Sequence, residues 1–272
     1  MPTIQLDCHT IHYSVEGLGP DVLMIHGLAS SHRMWERPLK RLALSGFRAW
    51  ALDLPGGGES DSCGMASSWY TIANMTSAVE TFIERVGIQN VSLVGHSMGG
   101  SIVLELARQR PELLGALVLV APAVSGRVGL LHTLLDSPLR RLLFSLSQRH
   151  PTLVLWGERT LLGVSEFIHN PGLRRDVQDL AHTTPEAFMG GLKAVLDFDF
   201  TDRLRMISTP TLVVVGTRDM TLPPSESELA ARQISGARLV KMRGVGHQPV
   251  DERPEEFDHL LVEFLKDNLV KQ

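Results

Sequence analysis

Five short runs of uninterrupted apolar sequence constrain the fold of this chain more than any other feature. They lie at 21–25, 48–53, 91–95, 116–120 and 211–216, and each lacks the polar alternation of a half-exposed strand. A strand that is apolar on both faces needs cover on both faces, which helices supply in a parallel sheet. Stretches with helical spacing separate the runs, at 32–45, 70–86, 98–109, 224–234 and 254–269. Strands alternating with helices predict an α/β fold: a mostly parallel sheet with helices on both faces. Residues 3–16 alternate apolar and polar side chains and read as an opening hairpin, and 237–242 form a weaker last strand. The expected sheet is therefore eight-stranded.

The rhythm breaks between 123 and 207. Those roughly 85 residues are too many for a loop and are rich in Leu and Arg, so they read as a helical lid inserted after the sixth strand. The expected core is then 1–122 with 208–272. Within the lid, Pro151-Thr152-Leu153-Val154-Leu155-Trp156-Gly157-Glu158-Arg159 imitates Pro210-Thr211-Leu212-Val213-Val214-Val215-Gly216-Thr217-Arg218. The second copy is preferred as the core strand, because it stands one helix and one strand before a histidine considered below. Leu142, Leu143 and Phe144 beside Arg140 and Arg141 suit an amphipathic helix that roofs an apolar pocket, joins two copies or touches lipid.

Composition excludes several classes. With 26 basic and 30 acidic residues the net charge is −4, without blocks, so no basic footprint for nucleic acid exists. No run approaches the roughly 18 apolar residues of a membrane span, and no charged start leads into an apolar stretch. The expectation is a cytoplasmic protein without stable membrane insertion, monomeric or homodimeric. Cys8 and Cys63 are too few for a disulfide framework, and nothing in their sequence positions favours a single bridge. Cys8, His9 and His12 lack a further ligand pair at zinc spacing and read as a solvated hairpin. Gly56-Gly57-Gly58 has neither dinucleotide nor P-loop spacing and reads as a tight turn. Neither cofactor nor metal is called for.

Ligands of such sheets bind at the carboxyl ends of the strands, so the chemistry is sought there. Gly95-His96-Ser97-Met98-Gly99 follows one buried strand and opens a helix. A serine at the tip of a strand-to-helix turn sits in strained dihedrals, and side chains two positions to either side would collide. Glycines there remove the collision, and the helix N-terminus favours developing negative charge. A serine hydroxyl also needs a base to accept its proton. Of 11 histidines, His247 in Gly246-His247-Gln248-Pro249 lies on the loop after the last strand and is the expected base. His26 and His96 are pocket residues or supports behind the site.

The base in turn needs an acid to fix its tautomer. Asp219 follows the strand at 211–216, and the single helix and strand between it and His247 bring the two loops together. No carboxylate follows the strand at 116–120, where Ala121-Pro122-Ala123 stands. Two convergent N–H donors complete such a site. They are expected from Met98, next to the serine, and from Leu28 in the His26-Gly27-Leu28 loop, whose side chains would shape the pocket.

With these residues in place, the chain resembles the α/β-hydrolase fold serine hydrolases nearly end to end. The resemblance rests on His26-Gly27, Asp53-Leu54-Pro55-Gly56-Gly57-Gly58-Glu59-Ser60-Asp61, the motif around Ser97, Gly216-Thr217-Arg218-Asp219 and Gly246-His247-Gln248-Pro249, in the family's order Ser, Asp, His. It implies a Ser97–His247–Asp219 triad acting through an acyl-enzyme on a small-molecule carboxylic ester. Ser97 departs from the Asp nucleophile of haloalkane dehalogenases and epoxide hydrolases, and Leu28 from the aromatic residue of haloperoxidase-like members. His96 and Pro249 depart from the Asn and Trp of C–C bond hydrolases. A carboxylesterase favouring apolar short-to-medium acyl or aryl groups is the expectation. A lactonase, a thioesterase, a C–C hydrolase and a small-molecule receptor of the same fold are the alternatives.

Overall fold

A computed structural model of the chain describes residues 2–128 and 171–269. Eight strands form one sheet: β1 (Thr3–Leu6), β2 (His9–Glu16), β3 (Asp21–Ile25), β4 (Arg48–Leu52), β5 (Val91–His96), β6 (Leu114–Val120), β7 (Thr211–Gly216) and β8 (Arg238–Met242). Their order is β1-β2-β4-β3-β5-β6-β7-β8. The first two pairings are antiparallel and the remainder parallel. The opening hairpin turns through Asp7 and Cys8, with Leu6 opposite His9 and Asp7 in the left-handed region at φ 46°.

Every residue of β3, β5 and β7 is buried, because helices cover both faces. Side chains one residue apart still go to opposite sides, as the strand period of two requires. Leu23 and Ile25 face one way, with Leu93, Leu117, Leu119 and Val213. They pack against Met75, Val79 and Phe82 of α2 (Ile72–Arg85) and Ile102, Val103 and Leu106 of α3 (Met98–Gln109). Val22 and Met24 face the other way, with Val94, Val118 and Val214. There they meet Leu39 and Leu42 of α1 (Glu36–Leu44), and Phe257, Leu261 and Leu265 of the C-terminal helix Pro254–Leu269. Each fully buried large aliphatic side chain contributes on the order of 2 kcal/mol, so the double-faced sheet is the main source of stability.

After β6 the chain leaves the sheet into the segment expected to form the cap, of which two helices are described: α4 (Pro171–His182) and α5 (Pro185–Asp197). Phe200 N–H donates to the Val124 carbonyl at 2.8 Å, joining the departing and returning chains. Buried Glu226, in the first turn of α6 (Pro224–Gln233), accepts from Ser125 N–H at 2.7 Å, Ser125 Oγ at 2.6 Å and Val124 N–H at 3.1 Å. Asp179 of α4, also buried, accepts from Ser31 Oγ at 2.8 Å and pairs with Arg33 at 3.0 Å. The cap is thus fastened at its neck and again over the loop following β3.

The segment 151–159 and the Arg140–Phe144 stretch lie outside the described residues. Among the described helices none is long and apolar enough to cross a membrane.

Two expectations need correction. The hairpin is not solvated at its histidines, because both His9 and His12 are buried. His9 packs on Trp69 with ring centroids 5.1 Å apart, and His12 Nδ1 lies 3.2 Å from Asp53 Oδ2. The helix expected over 32–45 begins later, at Glu36, after a 3-10 turn over His32–Trp35. That turn carries the His32 amide to Asp53 Oδ1 at 2.6 Å.

Candidate active site

The turn from β5 to α3 places Ser97 at φ 54° and ψ −116°, a left-handed conformation that costs a non-glycine residue energy. The fold holds it there by close packing. A Cβ on Gly95 would run into the Gly99 carbonyl, and one on Gly99 into the carbonyls of Ile25 and His26. The first turn of α3 therefore lies directly against the end of β3. Ser97 N–H donates to the Val120 carbonyl at 3.0 Å, and its own carbonyl accepts from Gly100 at 2.9 Å and Ala123 at 3.2 Å.

The loop 26–28 follows from the same packing. A Cβ at Gly27 would come within 3.1 Å of the Ser97 Cβ and 3.0 Å of His96 Nδ1. Buried His26 fixes the loop from behind: its Nδ1–H donates to the Gly27 carbonyl at 2.7 Å, and Nε2 accepts from Leu54 N–H at 2.9 Å. Among the described residues no backbone acceptor takes the amide of Leu28 or Met98. Both side chains reach the cap: a Cβ on Gly191 of α5 would stand 2.7 Å from Leu28 Cδ1 and 3.2 Å from Met98 Sδ. The Leu28 and Met98 side chains thereby lie against one helix, α5.

Across the sheet edge, the loops after β7 and β8 are zipped together. Arg218 N–H donates to the Val245 carbonyl at 2.8 Å and Thr217 N–H to Met242 at 3.0 Å. This brings His247 Nδ1 to 2.7 Å from Asp219 Oδ2. The Asp219 side chain is fully buried, and its other oxygen accepts from Thr221 and Leu222 N–H groups, each at 2.9 Å. The carboxylate thus faces the imidazole with its remaining lone pairs satisfied.

Two supports hold the backbone around His247: His96, expected as a support but without a partner legible in the sequence, and Glu252, which the sequence did not mark. His96 Nε2–H donates to the His247 carbonyl at 2.9 Å, the two rings lying 4.8 Å apart, so the residue before Ser97 carries the backbone of His247. Glu252, in the short helix α7 (Pro249–Glu252), accepts from Gly246 N–H at 2.8 Å and Gln248 N–H at 3.2 Å, clamping that loop on both sides of His247. Nothing but a glutamate near a helix start hints at this beforehand.

Behind the site, Asp53 gathers a buried network. Its carboxylate receives His12 Nδ1 at 3.2 Å, His32 Nδ1 at 3.0 Å and Glu59 N–H at 2.9 Å. The donor atoms of His12, His32 and Asp53 lie within 4.8 Å of one another, near enough for a metal. They already hydrogen-bond to each other, and the Asp53 oxygens also take backbone amides, so the group reads as a structural knot on the loop after β4. Burial alone would raise Asp53; the His12 and His32 hydrogen bonds overcome it and hold the carboxyl below the usual range. His32 rises above 6.5 by the same pairing with Asp53, against the opposing pull of burial.

Burial depresses His26, and it depresses His96 strongly, with His247 beside it adding to the effect. Both are neutral in the fold, and unfolding lets them bind protons. Their share of stability is complete above the ordinary imidazole value of 6.5 and fades as pH falls toward their lowered values. His32 works in the opposite sense, its share being lost as pH rises through its raised value. Because His96 is the most displaced, the urea midpoint is expected to fall between pH 7 and pH 5. His96→Gln, a neutral side chain that keeps an amide donor, is expected to flatten that fall.

A parallel sheet with a serine on a strained strand-to-helix turn and a histidine–aspartate pair on the adjoining loops defines the hydrolase class of α/β proteins. The alpha/beta hydrolase family model matches residues 22–260, and the chain belongs to that family. It is 30% identical to a pimeloyl-[acyl-carrier protein] methyl ester esterase of Nitrosomonas europaea, over 91% of this chain and 96% of that one. It is 29% identical to a putative carbamate hydrolase, RutD, of Pseudomonas savastanoi, over 94% and 98%. An esterase from Thermogutta terrifontis superposes with a TM-score of 0.75 at 26% identity, covering 95% of this chain and 94% of the other. An enol-lactonase from Burkholderia xenovorans shares the fold, with a TM-score of 0.80 at 23% identity and coverage of 97% and 100%.

Proposed function

We propose that this hydrolase cleaves carboxylic esters through an acyl-enzyme, with Ser97 as nucleophile, His247 as base and Asp219 as the acid behind it. The observation that carries the reading is the His247–Asp219 pair held beside the Ser97 turn by His96. The 2.7 Å contact at Nδ1 leaves Nε2 to exchange protons, and His96, adjoining Ser97, holds the His247 carbonyl. In the cycle, Ser97 Oγ attacks the ester carbonyl carbon while its proton passes to His247 Nε2. The Leu28 and Met98 N–H groups receive the oxyanion, and Asp219 steadies the imidazolium. The alcohol leaves with the proton from His247; water, deprotonated by the same nitrogen, then frees the acid and Ser97.

Residues 123–207 act as the lid in this reading. Leu28 and Met98 beneath Gly191 offer the acyl or aryl group an apolar wall, which favours short-to-medium apolar substrates. The names of the relatives support this chemistry, since ester and carbamate hydrolysis both begin with attack on an acyl carbon. The test is kcat/KM on p-nitrophenyl esters of graded acyl length. The expected profile peaks at short-to-medium chains; a flat profile, or no turnover on any ester, overturns the reading.

A further inference from the structure

Cys8 and Cys63 stand 55 positions apart in sequence, yet the fold lays their segments side by side. The loop after β4 runs back along the start of β2 in antiparallel sense. Glu59 Oε2 reaches His12 Nε2 at 3.4 Å, and Asp61 N–H donates to the Thr10 carbonyl at 3.1 Å. Cys8 and Cys63 each stand two residues beyond that contact, in a turn at the end of its segment, with Cys63 at φ 48°. Both residues are exposed, and both thiols are free. A disulfide needs Cα atoms about 4.4–6.8 Å apart, a span within reach of two exposed turns set side by side.

We propose that Cys8 and Cys63 form a reversible intramolecular disulfide by exchange with low-molecular-weight disulfides. One cysteine thiolate attacks a sulfur of the small disulfide, forming a mixed disulfide and releasing one small thiolate. The other cysteine thiolate then attacks the protein sulfur of that mixed disulfide, closing the Cys8–Cys63 bond and expelling the second small thiolate. Two cysteine thiols are oxidised and one small disulfide is reduced to two thiols, which carry away the two protons. The neighbouring Cys8 thiol, together with partial desolvation, pushes the Cys63 thiol up to about 11, so closure is slow at neutral pH and faster in alkali.

The bond would staple the opening hairpin to the segment that seats the cap. Beyond Cys63 the chain reaches Ser67 and Tyr70, and a Cβ on Gly190 of α5 would run into the Ser67 carbonyl and stand 2.6 Å from the Tyr70 Cβ. Constraining a loop of about 55 residues restricts the unfolded chain, so the oxidised protein is expected to melt about 5 °C higher.

The experiment incubates the full chain with oxidised glutathione, blocks remaining thiols and maps the cysteines by mass spectrometry, without recourse to activity. Wild type is expected to yield a Cys8–Cys63 cross-linked peptide within one chain, no retained glutathione and the raised Tm. Cys8→Ser and Cys63→Ser are each expected to stop at the glutathione adduct with an unchanged Tm. Two free thiols, a persistent glutathione adduct on wild type, a cross-link between two chains, or an oxidised protein no more stable than the reduced one overturns the proposal.

Discussion

Ser97→Ala is expected to lower kcat/KM on the best p-nitrophenyl ester by at least about 10,000-fold, leaving only the residual rate of bound substrate near the two N–H donors. The fold is expected to survive. Alanine at φ 54° meets the same backbone strain as serine, and the Ser97 hydrogen bonds described above are all made by its backbone. An unchanged Tm together with lost turnover isolates the hydroxyl as the reacting group. A variant that keeps even a tenth of the wild-type rate would remove Ser97 from the mechanism, since no deletion of a covalent nucleophile is that mild.

Asp219→Asn is expected to cost a comparable factor, about 10,000-fold in kcat, for a different reason. The Asn side chain has the size of Asp, and the amides of Thr221 and Leu222 can still donate to its oxygen, as they do to Oδ1 at 2.9 Å. Its NH2 group then faces His247 Nδ1, where a carboxylate oxygen stood at 2.7 Å. A donor at that place forces Nδ1 to accept, which moves the imidazole proton to Nε2. The nitrogen that should take the Ser97 proton is then already protonated. The signature is therefore a collapse of kcat with a small change in KM and a Tm within a few degrees of wild type. A loss below about 100-fold would mean that another group orients His247.

These outcomes rest on residues readable from the linear sequence, and the reason is local. Gly95-His96-Ser97-Met98-Gly99 encodes its own turn, because the glycines are needed wherever a serine is held at that angle between strand and helix. Asp219 is legible because it follows an apolar run closely, and His247 because it lies on the loop after the weaker last strand; parallel topology delivers the ends of these strands to one edge. The layering of the core follows from the same kind of pattern: apolar runs on both faces demand helices on both faces, as Val22 and Leu23 now show on opposite sides. His9 and His12 were misread as solvated because a period-two pattern says which side chains alternate, and not which face another loop will cover.

What stayed hidden depends on contacts between distant segments. His96 reaching the His247 carbonyl spans 151 positions, and His12 meeting Asp53 spans 41. Neither partner carries any local mark of the other. Side-chain hydrogen bonds of this kind form only after the sheet has set the distance, and a polar residue looks the same in sequence whether it ends buried or wet.

The sequence by itself determined the layer architecture, the strand ends where chemistry gathers, and the residue types assembled there, because these follow from periodicity and from turn sterics. Only the tertiary structure decided how that assembly is held: Glu252 and His96 on the backbone of His247, and Asp53 knotting His12 to His32. It also decided that Gly191 of the cap lies over Leu28 and Met98, and that Cys8 and Cys63 lie together. Each of those depends on a distance set by packing between parts of the chain that share no local pattern.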